Sequence, residues 1–235
     1  MMQFRPKSSW FAWLLVLLAL FFRLADLPNI RHGYDQAYQA YLALQMIESG
    51  QLLTVGQPSS IFLDNPPLMA YLQAGVLLIW DSVWAIYIFV AALNGLAVWF
   101  LYDATRQIYD EPTAVLAGFL YAVNPWLVHF GRMPWTQGLL PFFLAVMAWG
   151  LWPTLATGKP QSRRFFIGLL AAIAMLQTYI LAFAMLVPLA LIFWLLRDRV
   201  PRRPLLIGTA ILTLITGIFV RGLQQAADTN SSKFN

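Results

Sequence analysis

The feature that most constrains this chain is its series of apolar segments, which short polar connections separate. Of the residues, 60% are hydrophobic and only 11% are charged, a balance typical of a membrane protein with several spans rather than of a soluble one. A span must satisfy its backbone hydrogen bonds internally, so each is predicted to be a helix. The predicted spans are Ser8–Leu27, Trp84–Tyr102, Thr113–Phe130, Gln137–Pro153, Phe165–Tyr179, Leu181–Leu196 and Leu205–Val220.

The first segment is interpreted as an uncleaved span. Arg5 and Lys7 precede it, and its unbroken apolar run is short enough for a signal peptide. No small-x-small cleavage site follows it, however, and Arg23 near its end is able to extend towards the headgroups. We therefore predict that this helix is retained.

The distribution of Lys and Arg decides whether the apolar stretch Pro66–Trp80 crosses the membrane. If it does not cross, ten of these cations share the side of the N-terminus and five lie opposite; if it crosses, the numbers are reversed. The positive-inside rule favours the first threading. It predicts an all-α, multi-pass protein of the inner (plasma) membrane with about seven transmembrane helices and a cytoplasmic N-terminus. The first outer loop, residues 28–82, would be extracytoplasmic and carry juxtamembrane helices.

No internal repeat or low-complexity linker divides the chain, so residues 1–222 are predicted to form one transmembrane module. Residues 223–235 form a polar tail that is interpreted as the start of an outer loop that stops early. The chain has no cysteine, which excludes disulfides, thiolate metal sites and cysteine nucleophiles. Its net charge of +5 is accompanied by no nucleic-acid motif, so no nucleic-acid partner is expected.

The first outer loop contains two polar motifs, His32-Gly33-Tyr34-Asp35-Gln36 and Phe62-Leu63-Asp64-Asn65-Pro66-Pro67-Leu68. Asp35 precedes a stretch with helical periodicity, so it either caps this helix or serves as a general acid or base at the mouth of a cleft. These two roles are compatible. Asn65 is the expected cap of a helix that begins with Pro66 and Pro67, which leaves Asp64 one residue outside it as a loop aspartate or an ionised site residue.

Arg132 lies in the second outer connection, between His129 and Gln137. It is either a headgroup anchor or a cation that pairs with a phosphate, for which guanidinium geometry is well suited. His32 and His129 are the only histidines, so no metal ligand is assigned, although a divalent metal is left open.

The order of these motifs resembles the GT-C membrane glycosyltransferases, above all their protein O-mannosyltransferase and aminoarabinose transferase branches. These enzymes carry an acidic pair in the first outer loop, then a Pro-Pro-Leu element, and an Arg followed five residues later by Asp in the second outer loop. The resemblance covers essentially the whole chain. Two positions depart from it, because Gln36 replaces the usual Glu and Gln137 replaces the usual Asp.

The resemblance implies that Asp35 is the general base for the acceptor. It assigns substrate binding to the motif positions Tyr34, Gln36, Asp64, Asn65, Arg132 and Gln137. The implied reaction moves a sugar from a polyprenyl-phosphate carrier to a lipid, glycan or protein acceptor at the extracytoplasmic face. Members of the family continue beyond seven helices, so the chain is interpreted as the N-terminal module, as a truncated product, or as one half of a split protein whose C-terminal half is a separate chain.

Two rival functions stay open at this point. A transporter would carry charges within its spans, whereas here the acidic residues cluster in a loop, which favours an enzyme. An inactive or truncated module is the other alternative. It would tolerate the loss of Asp35.

Overall fold

The computed structural model describes residues 10–30, 32–61 and 63–232, with the backbone alone for 229–232. Some residues used above lie outside this part of the chain: Ser8 at the predicted start of the first span, Phe62, and the cations Arg5, Lys7, Arg31 and Lys233. The described residues form ten α-helices: α1 Trp10–Leu24, α2 Tyr34–Ser49, α3 Leu68–Ile79, α4 Val83–Ile108, α5 Glu111–Val123, α6 Pro125–Phe130, α7 Leu140–Thr157, α8 Ser162–Leu176, α9 Leu186–Leu195 and α10 Arg202–Ser232.

The elements are helical throughout the described chain. Three short 3-10 helices, Leu27–Asn29, Ile180–Met185 and Arg197–Arg199, complete the helical elements, and the β pairing is a single bridge in the first loop. Three helices are long and apolar enough to cross a membrane, namely α4, α7 and residues Arg202–Asp228 of α10. Shorter apolar helices accompany them, and none of the side chains of α9 is buried, as expected of a lipid-facing element. The all-α class is thus confirmed, while the number of seven spans stays a prediction.

The predicted span Thr113–Phe130 is two helices rather than one. α5 ends at Val123, and α6 begins at Pro125, which has no N–H to continue the hydrogen bonding. The side chain of Asn124 caps α6 by accepting a hydrogen bond from the Leu127 amide.

Arg23 lies at this break and does not extend to the surface, so the expected snorkelling is wrong. The residue is completely buried. Its guanidinium donates to the carbonyl of Ala19 at 3.1 Å, of Ala122 at 3.2 Å and of Leu127 at 3.4 Å. Ala122 belongs to the last turn of α5, where carbonyl groups lack intrahelical partners, and the arginine donates to this carbonyl.

The other predicted spans also end differently from their helices. The segment Leu181–Leu196 begins as the 3-10 helix Ile180–Met185 and becomes α-helical only at Leu186. Helix α7 continues through Pro153 to Thr157. Helix α10 runs on to Ser232, so the predicted boundary between residues 222 and 223 falls inside a helix.

The helix ends gather at two opposite surfaces. At the first, called the Asp35 face, Gln73 of α3 donates to the Pro134 carbonyl, and the Leu68 amide donates to the Gln177 carbonyl after α8. At the second, called the Arg164 face, Arg164 of α8 pairs with Asp103 of α4. The first loop contacts α4 at Tyr87 through His32, and Arg164 contacts it at Asp103, so 16 residues of α4, about 24 Å, separate these two contacts. Helix α3 has 12 residues and measures only about 18 Å, short of a bilayer's apolar thickness.

The closest helix packing is between α7 and α8, where Gly150 and Gly168 face each other. A methyl group on Gly150 would collide with the Gly168 backbone, which has little room to move. We expect Gly150→Ala to destabilise the protein by about 1–3 kcal/mol through overpacking, visible as a lower midpoint of thermal unfolding in detergent. Gly75→Ala on α3 is the matched control, because nothing lies within 4 Å of its added methyl. Equal midpoints for both variants would contradict this packing.

Candidate functional site

Asp35 is the second residue of α2 and is half-buried in the loop at the Asp35 face. Its Oδ1 accepts a hydrogen bond of 2.5 Å from the Nε2 of Gln57. The capping role proposed for Asp35 belongs to other residues: Gly33 is the cap position, and the Gln36 Oε1 accepts from the Gly33 amide at 2.9 Å. The Asp35 carboxylate is therefore oriented by Gln57 of the loop and does not cap the helix.

Gln57 is the residue that sequence reasoning missed. It is 5% exposed, and its Oε1 accepts from Gln39 Nε2 at 3.0 Å. Its backbone carbonyl accepts from the Asn65 amide at 2.8 Å and from Asn65 Nδ2 at 2.9 Å. The side chain that holds Asp35 is thus fixed at both ends. Its position between Gly56 and Pro58 marks a turn, but nothing in the sequence points to Asp35 as its partner.

Asn65 does not cap a helix, so that prediction is wrong. Helix α3 begins at Leu68 after Pro67, and it has no side-chain cap. Asn65 is 2% exposed, and its side chain donates to Gln57 while its Oδ1 accepts from the Ile180 amide at 3.1 Å. It joins the first loop to the segment after α8, and these tertiary bonds outweigh the local capping preference.

Asp64 forms an antiparallel β bridge with Pro58, the residue that follows Gln57. Partial burial raises the pKa of its carboxyl group above the ordinary 3.8. Burial also raises the pKa of Tyr38, with smaller contributions from Tyr34, Asp64 and Tyr41. Gln57 links the segment of Asp64 to Asp35, because its backbone carbonyl accepts from the amide of Asn65 while its side chain donates to Asp35. The two predicted carboxylates thus lie in segments that Gln57 joins.

The raised pKa of Asp64 predicts a pH dependence of stability. A group whose pKa is higher when folded contributes stability below its unfolded pKa and loses it as the pH rises through the folded value. We expect Asp64→Asn to raise the thermal midpoint slightly at neutral pH and to match the wild type below pH about 4. The effect is small because the carboxyl is only partly buried. A midpoint that falls at neutral pH would show instead that the ionised carboxylate has a stabilising partner.

Arg132 lies on another side of this surface, against the end of α1. One guanidinium nitrogen donates to the carbonyls of Ala25 at 2.8 Å and Asp26 at 3.2 Å. Burial lowers the pKa of Arg132, and the nearby Asp26 partly offsets this. The residue lines a cavity of about 790 Å³ together with His129 and Asn29. Among the described residues, no ion pair joins Arg132 to Asp35 or Asp64.

The remaining predicted residues have separate positions. Gln36 is buried, and besides its capping bond it places Nε2 at 3.8 Å from the Met133 sulfur, which joins α2 to the second outer loop. Gln137 accepts a hydrogen bond from the Thr136 hydroxyl at 2.7 Å. Tyr34 is 76% exposed and stacks on Tyr38, so it is the most accessible of the set.

The two histidines are not placed as a metal pair. His32 stacks on Tyr87 and is hydrogen-bonded to its hydroxyl, whereas His129 lines the Arg132 cavity. The described residues contain no group of three or more His, Asp or Glu side chains that could hold a metal ion.

The fold is that of a helical membrane protein, and its first loop contains the two candidate carboxylates, Asp35 and Asp64. The family model described as dolichyl-phosphate-mannose-protein mannosyltransferase matches residues 64–220. This range is about two thirds of the 235 residues, and the chain belongs to this family of GT-C glycosyltransferases. The match includes Asp64, Asn65, Arg132 and Gln137 but begins after Asp35. No curated protein and no solved structure gives a significant match.

Proposed function

We propose that the chain is a membrane glycosyltransferase that moves a sugar from a polyprenyl-phosphate carrier to an acceptor hydroxyl at the extracytoplasmic face. Asp35 is the general base. The observation that carries this role is the hydrogen bond from Gln57 to Asp35 Oδ1. Among the described residues, the other oxygen, Oδ2, receives no hydrogen bond, so it is available to an acceptor.

The reaction needs one proton acceptor and one site for a departing anion. The acceptor oxygen forms a bond to the anomeric carbon as the bond from that carbon to the carrier phosphate breaks, and the hydroxyl proton passes to Asp35. The carrier leaves as a phosphate anion, which a fixed cation stabilises. Arg132 is the candidate for that role. Its guanidinium is held by backbone carbonyls, and the residue lines a cavity.

An apolar groove supports a lipid-linked donor. It has a volume of about 400 Å³, lies between α3, α8 and α10, and reaches the Asp35 face at Pro67 and Gln177. Its walls are mostly aliphatic and aromatic side chains, including Tyr71 and Phe219. Such a surface suits a hydrocarbon chain whose phosphate end lies near the polar loops.

Sugar transfer by membranes that contain the chain tests this function. The donors to compare are a labelled polyprenyl-phosphate mannose, chosen for the family, and a nucleotide-linked mannose. Transfer from the lipid donor alone is the expected result. Transfer from the nucleotide donor alone would overturn the carrier, and no transfer from either would favour the alternative of an inactive module.

The orientation of the two faces is testable on its own because the chain contains no cysteine. Ser60→Cys lies in the first loop at the Asp35 face, and Asp198→Cys lies at the Arg164 face; both positions are exposed. In intact cells, a membrane-impermeant maleimide is expected to label only the first variant, with the second labelled after permeabilisation. The reverse pattern would invert the proposed topology.

A further inference from the structure

The apolar groove between α3, α8 and α10 contains a polar side chain that is buried without a partner. Gln177, the residue after α8, lines this groove and is 6% exposed. Its Nε2 has no hydrogen-bond partner among the described residues. The hydrogen bonds that Gln177 forms with them are those of its backbone N–H and carbonyl. We propose that the Gln177 carboxamide binds a hydroxyl group of the donor sugar, an inference that rests on the proposed function.

The surroundings of Gln177 do not satisfy its amide. A buried donor or acceptor without a partner destabilises a folded chain, so such groups are normally paired. The nearest candidate type of group in the groove is the Tyr71 hydroxyl, but it already donates to the Leu53 carbonyl at 2.7 Å. Most of the other walls are aliphatic side chains. The partner of the amide must therefore come from solvent or from a ligand.

The chemistry of a carboxamide selects a hydroxyl group. The Gln side chain offers an acceptor oxygen and two N–H donors and carries no charge. A sugar hydroxyl both donates and accepts, so it complements both ends of the amide. A phosphate oxygen of the carrier only accepts, and its charge is better matched by a guanidinium such as that of Arg132. A site that pairs with a substrate hydroxyl also discriminates strongly against substrates that lack it.

The position of Gln177 fits the head of a lipid-linked donor. Along α10 the groove extends from Ile211 to Phe219, a length of about 12 Å, and its walls there suit a hydrocarbon chain. Gln177 is the last of the residues that α8 and its C-terminal end contribute to the groove. Its backbone carbonyl accepts from the amide of Leu68 at the start of α3. The polar group thus lies where the groove meets the first loop.

One set of contacts connects this end of the groove to the proposed base. Ile180, three residues after Gln177, donates its amide to Asn65 Oδ1 at 3.1 Å. Asn65 Nδ2 donates to the carbonyl of Gln57, and the Gln57 side chain donates to Asp35. A carrier chain in the groove, its sugar at Gln177 and the base at Asp35 therefore follow each other in the order that sugar transfer requires.

Binding of lipids to the full chain in detergent tests the proposal. The ligands are a polyprenyl phosphate without sugar and the same carrier with mannose, glucose or galactose, and dissociation constants are measured by thermophoresis. The wild type is expected to bind one of the glycosylated carriers more tightly than the bare carrier. Gln177→Met keeps the length of the side chain but removes the amide. It should weaken binding of that glycosylated carrier by about 10-fold, the effect of one lost hydrogen bond, and leave binding of the bare carrier nearly unchanged.

Leu170→Met is the matched control, because it changes another wall of the same groove without removing a polar group. It should affect the bare and the glycosylated carriers alike. The thermal midpoint separates recognition from a structural role. Gln177→Met should not lower it, since the amide that it removes has no partner in the described chain. A lowered midpoint together with weaker binding of all the lipids would assign Gln177 to the fold and overturn the proposal.

The remaining outcomes distinguish the role of Gln177 from the proposed function. Equal weakening of bare and glycosylated carriers in Gln177→Met, with an unchanged midpoint, would assign the amide to the phosphate. Unchanged binding of every carrier would mean that water alone pairs with the amide. A wild type that binds the bare carrier but prefers no glycosylated form would overturn the sugar contact and leave the carrier groove in place. A wild type that binds none of these lipids would overturn the carrier, and with it the proposed function.

Discussion

Replacing Asp35 with Asn is expected to lower the rate of sugar transfer by about 10²–10⁴-fold, the usual contribution of a positioned general base. The amide has nearly the same shape, and its oxygen still accepts the hydrogen bond from Gln57, which holds Asp35 at 2.5 Å. What it loses is the ability to take the acceptor proton. The variant should therefore fold normally but lose most of its sugar-transfer activity. The measurement is transfer from the labelled polyprenyl-phosphate donor in membranes with equal amounts of chain.

Asp81→Asn is the matched control for this experiment. Asp81 is another aspartate of the same outer loop, but it is exposed, lies just before α4 and has no hydrogen bond with Gln57. Its replacement should leave transfer unchanged. Equal rates for the wild type and Asp35→Asn would remove Asp35 from the mechanism, and an equal loss in both variants would indicate a general effect of loop charge.

Hydrophobic pattern predicts where the helices of this chain lie but not where they end. Apolar composition is required along the whole length of a membrane helix, so it is visible in sequence. The break between α5 and α6 depends on two residues, Asn124 and Pro125, inside an otherwise apolar stretch. Arg23 fills that break from a different helix. Its burial depends on tertiary structure, whereas sequence alone indicated only a cation near the end of a span.

The candidate site shows the same division between local and tertiary information. Asp35 and Asp64 stood out as carboxylates in one polar loop, and in the structure Gln57 joins the segments that carry them. Asn65 fits a local rule for helix capping, yet its bond to Ile180 joins residues 115 positions apart. Gln57 has no local signature, since its partner Asp35 lies 22 residues earlier. Residues that work through long-range contacts are the ones that pattern analysis does not find.

Gln57→Leu is expected to lower kcat for transfer by about 10–100-fold with little change in KM. The substitution removes a hydrogen bond to a charged group, which is worth about 1.5–3 kcal/mol. It leaves the backbone carbonyl of Gln57, to which Asn65 donates, in place. The loop should therefore keep its path while the Asp35 carboxylate becomes free to rotate. Gln57 is a positioning residue in this scheme, because it acts through Asp35.

Two variants separate this role from a loss of stability. Gln39→Leu removes only the far end of the chain of hydrogen bonds, its contact with the Gln57 Oε1, so it should lower kcat less than Gln57→Leu does. Gln57→Glu puts a second carboxylate against Asp35. Because like charges repel, this variant should not recover the activity that Gln57→Leu loses. If Gln57→Leu instead raised KM alone, or lowered the thermal midpoint in proportion to activity, the side chain would be holding the loop together rather than orienting the base.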